Sequence, residues 1–368
     1  MQPRDMVVIG GSAGSIGALK TIVSALPANL AASLFVVIHT SSDSPMMLAG
    51  LLSRLGPLAA VNPSDGEPIR RGHIYVSRPD HHLTVEDGRV RVLRGPRENR
   101  HRPAIDPLFR TAARTYGSRV IGVILSGFQD DGSAGLYAVR ERGGIAIAQD
   151  PNDAAWRDMP AHAIEYVRPQ YVLPAAGIAP VLVEYAEGQK SVPVMAKNNV
   201  VSRKSNGRNG SRKAAAQAVT AKPDANKDVA YADEGEGRPS VFACPECHGV
   251  LWELKDGEMV RFRCRVGHSF GTQSLSQEIS MASEAALWAA VRALEEKSAL
   301  QRRIADTIGN DRRMSARALD QSESDSHNAR VIRDMIFQQN SELRPEQSRS
   351  GNARSLKNIL QSPESKTA

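Results

Sequence analysis

The start of the chain constrains the fold more than any other stretch, because it combines a strand, a tight turn and a helix. Residues 6–15 read MVVIGGSAGS, an apolar run that ends in small residues, and residues 16–23 have the pattern of a helix. The turn places Ser12 between glycines in a G-x-S-x-G pattern, which is typical of a nucleophilic serine on a sharp elbow. The same turn could hold a phosphate, or Ser12 could simply cap the helix.

Apolar runs that alternate with helical patterns continue through the first half of the chain. The runs at residues 33–39, 119–127 and 145–149 are apolar almost throughout, which predicts a doubly wound, mostly parallel sheet covered on both faces. Residues 83–93 differ, since short alternating runs flank Glu86-Asp87-Gly88, and this pattern predicts an antiparallel hairpin. The fold class is therefore α/β.

Composition divides the chain into segments. We expect an α/β domain over residues 1–187, a flexible basic linker over 188–237, a cysteine-bearing module over 238–271, a helical segment over 272–310 and a disordered polar tail over 311–368. The net charge of +7 is concentrated in the linker. Aromatic residues are scarce there, which argues against nucleic acid as a partner.

The overall composition excludes several classes of protein. A hydrophobic fraction of 41% and a charged fraction of 24% are ordinary for a globular protein. No apolar run approaches the ~20 residues of a membrane span, and the pattern of the first residues leads us to expect no signal peptide. The three cysteines all lie in the C-terminal half, which favours a reducing compartment over a disulfide scaffold. We expect a cytoplasmic protein without membrane insertion.

Three polar residues follow three of the apolar strands: Ser12, His39 and Asp131. The carboxyl ends of parallel strands line the ligand crevice of an open α/β sheet. A serine, a histidine and an aspartate meeting there would form an acyl-transfer triad, with the histidine taking the serine proton. Taken singly, each residue could equally be a cap, a structural histidine or part of a turn.

Two other interpretations of the opening loop fit less well. The loop lacks G-x-G-x-x-G in register, and the second strand ends at His39 rather than at the acid that binds a ribose in dinucleotide folds. The order Ser12, His39, Asp131 also differs from the serine, acid, histidine order of α/β-hydrolases.

Five motifs make the first domain resemble the catalytic domain of the CheB-type protein-glutamate methylesterases of bacterial chemotaxis. They are IGGSAG at residues 9–14, VIH at 37–39, NRHRPAIDPLF at 99–109, LSGFQDDG at 125–132, and AQD at 148–150 followed by Met159-Pro160. The resemblance covers residues 5–187, about half of the chain.

The resemblance implies roles for the three residues and a reaction. Ser12 would be the nucleophile, His39 the base and Asp131 the orienting acid, with no cofactor for catalysis. The substrate would be a γ-methyl glutamate on a chemoreceptor or related helical signalling protein, and the products glutamate and methanol, in chemotaxis or a related phosphorelay. Deamidation of receptor glutamines at the same site is one alternative. A non-catalytic scaffold or nucleic-acid-binding protein, using the linker and the cysteine module, is another.

The sequence departs from the family pattern at several positions. Ala13 replaces a frequent threonine, and Ser15 and Gln129 replace glycines. If position 129 requires a positive φ, the loop must differ. The chain begins at the first catalytic strand, so we expect no attached receiver domain, and a separate receiver or methyltransferase protein becomes a candidate partner.

A basic group beside the catalytic motifs has two interpretations. His82, Arg100, His101 and Arg102 could help to position an acidic receptor arm, or they could be exposed charges and capping partners.

The cysteine module has the layout of a zinc ribbon. Cys244-x-x-Cys247 and Cys264-x-x-x-His268 flank two predicted strands around a Lys-Asp-Gly-Glu turn. Three thiolates and an imidazole suit tetrahedral Zn²⁺, and four protein ligands close the shell, so the metal would be structural. His248 competes for the fourth position, although knuckle geometry favours His268.

A strong helix follows the module at residues 285–297. Leu287, Val291 and Leu294 share one face, which predicts packing on the ribbon, dimerisation or docking of a partner helix.

Overall fold

A computed structural model of the chain describes residues 3–188, 237–257, 259–307 and 311–342. The chain divides into two compact units, Met1–Glu278 and Ile279–Ala368. The predicted basic linker lies almost entirely outside the described residues.

A seven-stranded parallel sheet with the order β3-β4-β2-β1-β7-β8-β9 forms the centre of the first unit. Its strands are β1 Met6–Gly11, β2 Ser33–Ile38, β3 Ala59–Val61, β4 His73–Val76, β7 Val120–Ile124, β8 Ile145–Gln149 and β9 Tyr171–Leu173. The predicted hairpin is confirmed as a separate antiparallel pair, β5 His82–Glu86 and β6 Arg89–Leu93. The sequence did not identify β3 and β9, the short edge strands.

Helices cover both faces of the sheet, which confirms the doubly wound class. They are α1 Ser15–Ser24, α2 Leu48–Leu55, α3 Ile105–Tyr116, α4 Ser133–Glu141, α5 Asp158–Val167 and α6 Ala175–Ala186. One apolar layer joins α1, α2 and α6 to the sheet, and a second layer joins α3, α4 and α5 to the opposite face. Because the strands are buried on both sides, their sequences are continuously apolar.

The strand order reverses at β1. This strand pairs with β2 on one side and with β7 on the other. Such a switch point opens a crevice at the carboxyl ends of the strands, where ligands bind in open α/β sheets. Ser12, His39 and the loop that contains Asp131 all start from this edge.

A four-stranded antiparallel sheet forms the cysteine-bearing module, which also belongs to the first unit. It consists of β10 Arg238–Ala243, β11 Val250–Asp256, β12 Met259–Cys264 and β13 Ser269–Gly271. The predicted hairpin corresponds to β11 and β12. Its small core combines Leu251, Phe262 and Phe270 with two of the cysteines.

Two long helices follow, α7 Thr272–Thr307 and α8 Arg312–Glu342. The predicted disordered tail over 311–368 is therefore wrong as far as residue 342, and the rest lies outside the described residues. Within the second unit, Ala329, Ile332 and Ile336 of α8 pack against the predicted apolar face of α7 around Val291. These residues recur every three or four positions in a polar background, and that spacing forms an amphipathic helix.

A helix that crosses a membrane needs about 20 consecutive, mainly apolar residues. Across the described part of the chain, no helix is both long and apolar enough to cross a bilayer.

Candidate active site

Ser12 and His39 each follow directly after one of two adjacent strands, β1 and β2, which end in register. Gly11 pairs with Ile38, and the His39 N–H donates to the Gly11 carbonyl at 3.2 Å. Adjacent strands are about 4.8 Å apart, so the residues that follow this pair start as neighbours. On the other side, the Ser12 N–H donates to the Ser126 carbonyl at 2.9 Å. The loop after β7 therefore closes on the serine.

Close packing fixes the elbow that carries the serine. A Cβ on Gly127 would lie 2.9 Å from the Ser12 Cβ, and Gly14 has a φ of 76° that favours glycine. Ser15, one of the departures from the family pattern, is buried and donates to the Ser12 carbonyl through both its N–H, at 3.1 Å, and its Oγ, at 2.5 Å. Ser15 thus stabilises the turn in a way that the sequence did not reveal.

His39 and Asp131 form a buried pair. The His39 Nε2 lies 2.7 Å from the Asp131 Oδ2, and the two side chains are 5% and 1% exposed. An ionised Asp131 accepts a hydrogen bond from the Nε2–H of a neutral His39, which leaves Nδ1 as the acceptor nitrogen. That atom is buried and has no hydrogen-bond partner among the described residues. Asp131 therefore contacts the opposite ring nitrogen from the aspartate of the chymotrypsin triad, which binds Nδ1.

Three further donors hold the Asp131 carboxylate. The Ile105 N–H donates at 2.7 Å, the Asp106 N–H at 3.3 Å and the Asn99 Nδ2 at 2.8 Å. Burial alone would raise the pKa of Asp131, but the hydrogen bonds from His39, the Ile105 N–H and Asn99 hold this pKa below its ordinary value. The carboxylate therefore stays ionised at neutral pH.

A second acid beside Asp131 behaves in the opposite way. Burial, and then the nearby charge of Asp131, raise the pKa of Asp106 well above its ordinary value. Its Oδ1 accepts from the Gly135 N–H at 2.6 Å, and its Oδ2 accepts from the Asn99 Nδ2 at 3.1 Å. The two acids, whose pKa values shift in opposite directions, thus share the donor Asn99.

His101 stacks on the imidazole of His39. The ring centroids are 3.6 Å apart and the planes differ by 14°. Burial, with a contribution from the neighbouring His39, lowers the pKa of His101 to about 3. A neutral ring therefore covers one face of the candidate base.

The other members of the basic group have structural partners. His82 is buried, with its Nε2 2.8 Å from the Pro96 carbonyl. Arg102 binds Asp80 and the Gly95 carbonyl, and Arg100 forms an ion pair with Glu278. The structural interpretation thus fits His82 and Arg102.

An open cleft of about 450 Å³ lies beside His39. Among its lining residues Arg97, Arg100 and Arg102 outnumber the single acid Asp80, and the others are Thr40, Ser41, Ser42 and His101. Each arginine has an ion-pair partner, which is Glu246, Glu278 and Asp80 respectively, so an acidic ligand would share these arginines with acids of the chain.

Two exposed aromatic side chains border the serine on the other side. The rings of Phe128 and Trp156 are 4.2 Å apart, and the residues are 44% and 46% exposed. The Trp156 carbonyl accepts from the N–H of Gly127, the residue that packs against Ser12, at 3.1 Å. Trp156 was missed in the sequence because it belongs to no recognisable motif.

Gln129 adopts a left-handed backbone conformation, which glycine favours. Its φ is 64°, and its carbonyl lies 2.9 Å from the His162 Nδ1. The expected difference in the loop is therefore not needed, because the glutamine accepts a conformation that costs about 1–2 kcal/mol.

The four predicted metal ligands come together. The ligand atoms of Cys244, Cys247, Cys264 and His268 all lie within 4.8 Å of one another, and the Cys247 and Cys264 sulfurs are 3.5 Å apart. Tetrahedral Zn²⁺ with bonds of about 2.0–2.3 Å requires similar separations. His248 is exposed and lies outside the cluster, so the group fits a metal ion with His268 as the fourth ligand.

The fold and the site together define an α/β protein with a serine, a histidine and an aspartate at the switch point of its sheet. The N-terminal half of the chain, which contains this site, is similar to known sequences. The sequence model of the CheB methylesterase family matches residues 7–182. A Leptospira interrogans protein, provisionally named a protein-glutamate methylesterase/protein-glutamine glutaminase, is 39% identical over 176 residues, which cover 48% of this chain and 91% of that protein. The chain belongs to the CheB methylesterase family.

Two further comparisons cover the same half. The protein-glutamate methylesterase/protein-glutamine glutaminase 1 of Rhodospirillum rubrum is 38% identical over 182 residues, which cover 48% of this chain and 47% of that protein. This chain therefore spans about half the length of that relative. The crystal structure of the Thermotoga maritima CheB methylesterase catalytic domain has a TM-score of 0.46 and 35% identity, covering 49% of this chain and 97% of that one.

Proposed function

We propose that this protein hydrolyses γ-methyl esters of glutamate on chemoreceptor-type helical signalling proteins in the cytoplasm. The observation that carries the proposal is the buried 2.7 Å pair of His39 and Asp131 at the end of β2, the strand that pairs with the one leading into Ser12. The names of the relatives supply the class of ester. The catalytic domain would comprise residues 1–187.

The geometry supports a two-step reaction without a cofactor. The Ser12 Oγ attacks the ester carbonyl while the His39 Nδ1 takes the hydroxyl proton, and Asp131 stabilises the imidazolium. The tetrahedral intermediate collapses to a γ-glutamyl ester of Ser12, and His39 returns the proton to the departing methanol. Water then repeats the sequence and releases glutamate.

Negative charge develops on the carbonyl oxygen in both steps. Backbone N–H groups of the elbow around Ala13, together with that of Phe128, are the candidate donors for this oxyanion. Loss of one such donor typically costs about 2.7–4 kcal/mol in the barrier.

The surroundings of the serine suit an acidic helical substrate. The cleft with Arg97 and Arg100 would attract glutamate-rich segments, while Phe128 and Trp156 offer an apolar surface for the partner helix.

Deamidation of glutamine side chains is the second candidate function. The relatives' names pair the two activities, and the same residues would act, with ammonia leaving in place of methanol. The basic stretch on which a nucleic-acid-binding role would depend lies outside the described residues.

We also propose that Zn²⁺ occupies the cluster of Cys244, Cys247, Cys264 and His268, in a zinc-ribbon-like module over residues 238–271. The donor set and spacing support this ion. With four protein ligands it would have no open position, so its contribution would be structural and no catalytic step would pass through it.

Methanol release from a methylated chemoreceptor signalling fragment tests the proposed reaction. The full chain should release methanol, and Ser12→Ala should lower kcat by at least about 10,000-fold. Ser24→Ala is the matched control, because Ser24 is an exposed serine on α1. Equal rates for Ser12→Ala and the wild type would contradict the proposal.

A further inference from the structure

Residues 269–278, which we name the clasp, connect the metal-binding module to two loops of the candidate active site. These are the residues 97–101 loop and the residues 128–131 loop. In the first loop, the Asn99 N–H donates to the Ser269 carbonyl at 2.7 Å, and the Gly271 N–H donates to the Asn99 Oδ1 at 2.7 Å. Strand β13 of the module thus continues directly into contacts with the α/β domain.

The Asn99 side chain links this contact to the candidate catalytic acid. While its Oδ1 accepts from Gly271, its Nδ2 donates to the Asp131 Oδ1 at 2.8 Å and to the Asp106 Oδ2 at 3.1 Å. The residue is only 3% exposed. A single buried amide therefore joins the module to the carboxylate that orients His39.

The first loop holds a conformation that its own residues do not favour. Asn99 and Arg100 have φ values of 47° and 71°, two successive non-glycine residues in the left-handed region. This region is uncommon for residues other than glycine, although asparagine enters it more readily than arginine, and surrounding contacts stabilise it where it occurs. The clasp supplies contacts to both, through Ser269 and Gly271 for Asn99 and through the ion pair of Glu278 with Arg100.

The second loop faces the clasp through Asp130, the neighbour of Asp131. Asp130 is 8% exposed, and its Oδ1 accepts from the Ser274 Oγ at 2.8 Å. A Cβ on Gly271 would lie 2.1 Å from the Asp130 Oδ2. Adjacent carboxylates therefore point to different regions, Asp131 to His39 and Asp130 to the clasp.

The metal cluster stands directly before the clasp. His268 precedes Ser269, and its carbonyl accepts from the Cys264 N–H at 3.0 Å. The module's small core includes Cys244 and Cys264 themselves, and a segment of this size rarely folds without its metal. Loss of the ion would therefore release the strand that holds Asn99.

We propose that metal occupancy of the cysteine cluster controls the Ser12 site through the clasp, with Asn99 as the positioning residue for Asp131. The effect on rate rests on the proposed function, whereas the effect on structure does not. Without the metal, the residues 97–101 loop relaxes, the amide leaves Asp131, and His39 loses its fixed orientation.

Hydrogen–deuterium exchange of the full chain, with bound Zn²⁺ and after chelation, tests the coupling. Chelation should increase exchange in peptides covering residues 97–106 and 128–135 while β2 stays protected, and added Zn²⁺ should reverse the change. Over the same treatment kcat should fall at least tenfold, with KM unchanged within twofold. Purified protein without metal, or loops equally protected in both states, would overturn the proposal.

Two variants separate the clasp from the metal itself. Gly271→Ala forces the clasp away from Asp130, so it should retain Zn²⁺ yet show the same loop exchange and loss of kcat, whereas Gly50→Ala should behave as the wild type. The nearest atom to a Cβ on Gly50 is 3.7 Å away. If Gly271→Ala loses its metal, the Asn99→Ala variant tests the coupling instead, because Asn99 is not one of the four metal ligands.

Asn99→Ala should lower kcat at least tenfold with KM and metal content unchanged. Normal kcat in metal-loaded Asn99→Ala would overturn the positioning role. If the wild type releases no methanol, the proposed function fails, and the exchange experiment still judges the coupling.

Discussion

The seven-stranded α/β layer and the four-stranded β10–β13 module both present reactive side chains, but they fix them with very different amounts of buried apolar surface. In the α/β layer, two extensive cores lie on either side of the sheet, and buried backbone N–H groups hold Asp131. In the module the core is a handful of residues, and the cysteines are part of it. The first region has enough buried apolar surface to hold uncommon loop conformations, whereas the second, in our proposal, requires a metal ion for its own fold.

This difference matters because the residues 97–101 loop of the α/β layer is held by contacts with the clasp. The strained pair of Asn99 and Arg100 belongs to the α/β layer, yet its partners Ser269, Gly271 and Glu278 belong to the clasp. One loop of the large region is therefore held partly by a small module whose stability, in our proposal, depends on a metal.

The sharpest contrast between the regions is between two adjacent carboxylates. Asp131→Asn should lower kcat about 10,000-fold, because an amide at this position no longer imposes the productive tautomer on His39. Asp130→Asn changes only the clasp side and should lower kcat by less than about tenfold, since the contact with Ser274 is remote from the reacting atoms. Steady-state methanol release measures both, and equal losses would remove the distinction between the two regions.

Removal of a metal ligand should unfold the β10–β13 module and leave the α/β layer folded. Cys264→Ser should lose Zn²⁺ and the protection of β11 and β12 against exchange, because binding of a structural zinc contributes about 10 kcal/mol or more to folding. The central strands β1, β2 and β7 should keep their protection. Metal analysis with exchange mass spectrometry provides the measurement, and loss of protection in both regions together would show that the α/β layer depends on the module for its fold.

The aromatic border of the site should affect binding more than chemistry. Trp156→Ala should raise KM about 5- to 30-fold with little change in kcat, since truncation of an exposed aromatic anchor costs about 1–2 kcal/mol. Trp288→Ala is the matched control, because Trp288 is another partly exposed tryptophan on α7. An effect on kcat alone would place Trp156 in the chemistry instead.

An effect confined to acidic pH is expected from His101, as a pH dependence of stability. Its pKa is about 3 in the folded protein and 6.5 without the fold, so the unfolded chain binds more protons between these values. The free energy of unfolding should therefore fall as the pH falls from 6.5 towards 3, by at most about 1.4 kcal/mol per pH unit. His101→Gln should remove this share of the slope, which denaturant titrations at several pH values measure.

The pH slope of the whole protein contains opposing contributions. The raised pKa of Asp106 acts in the opposite direction, because the folded state then binds the extra proton. The difference between the wild type and His101→Gln isolates His101, and identical slopes would contradict its neutral, buried state.

Short-range sequence patterns correctly predicted those parts of the molecule whose structure depends mainly on neighbouring residues. Continuous apolar strands predicted the parallel sheet, and the spacing of Cys244, Cys247, Cys264 and His268 predicted a cluster that the structure brings together. The edge strands β3 and β9 were missed because three residues give no readable period.

Contacts between distant segments could not be predicted in this way. Asn99 and Gly271 are 172 positions apart, and no pattern near either residue indicates the other. The role of Ser15 arises from one buried turn, and α8 forms because its sparse apolar residues find a partner in α7. In each case tertiary contact outweighed local composition.

The central claim is that Ser12, His39 and Asp131 act as one catalytic unit, and the most direct test is a comparison of kcat for Ser12→Ala, Asp131→Asn and the double variant. Members of a triad are strongly non-additive, because loss of the nucleophile removes what the other residues assist. We predict that the double variant is no slower than Ser12→Ala alone, within about threefold. Losses that multiply in the double variant would show that Asp131 acts independently of Ser12 and would contradict the account.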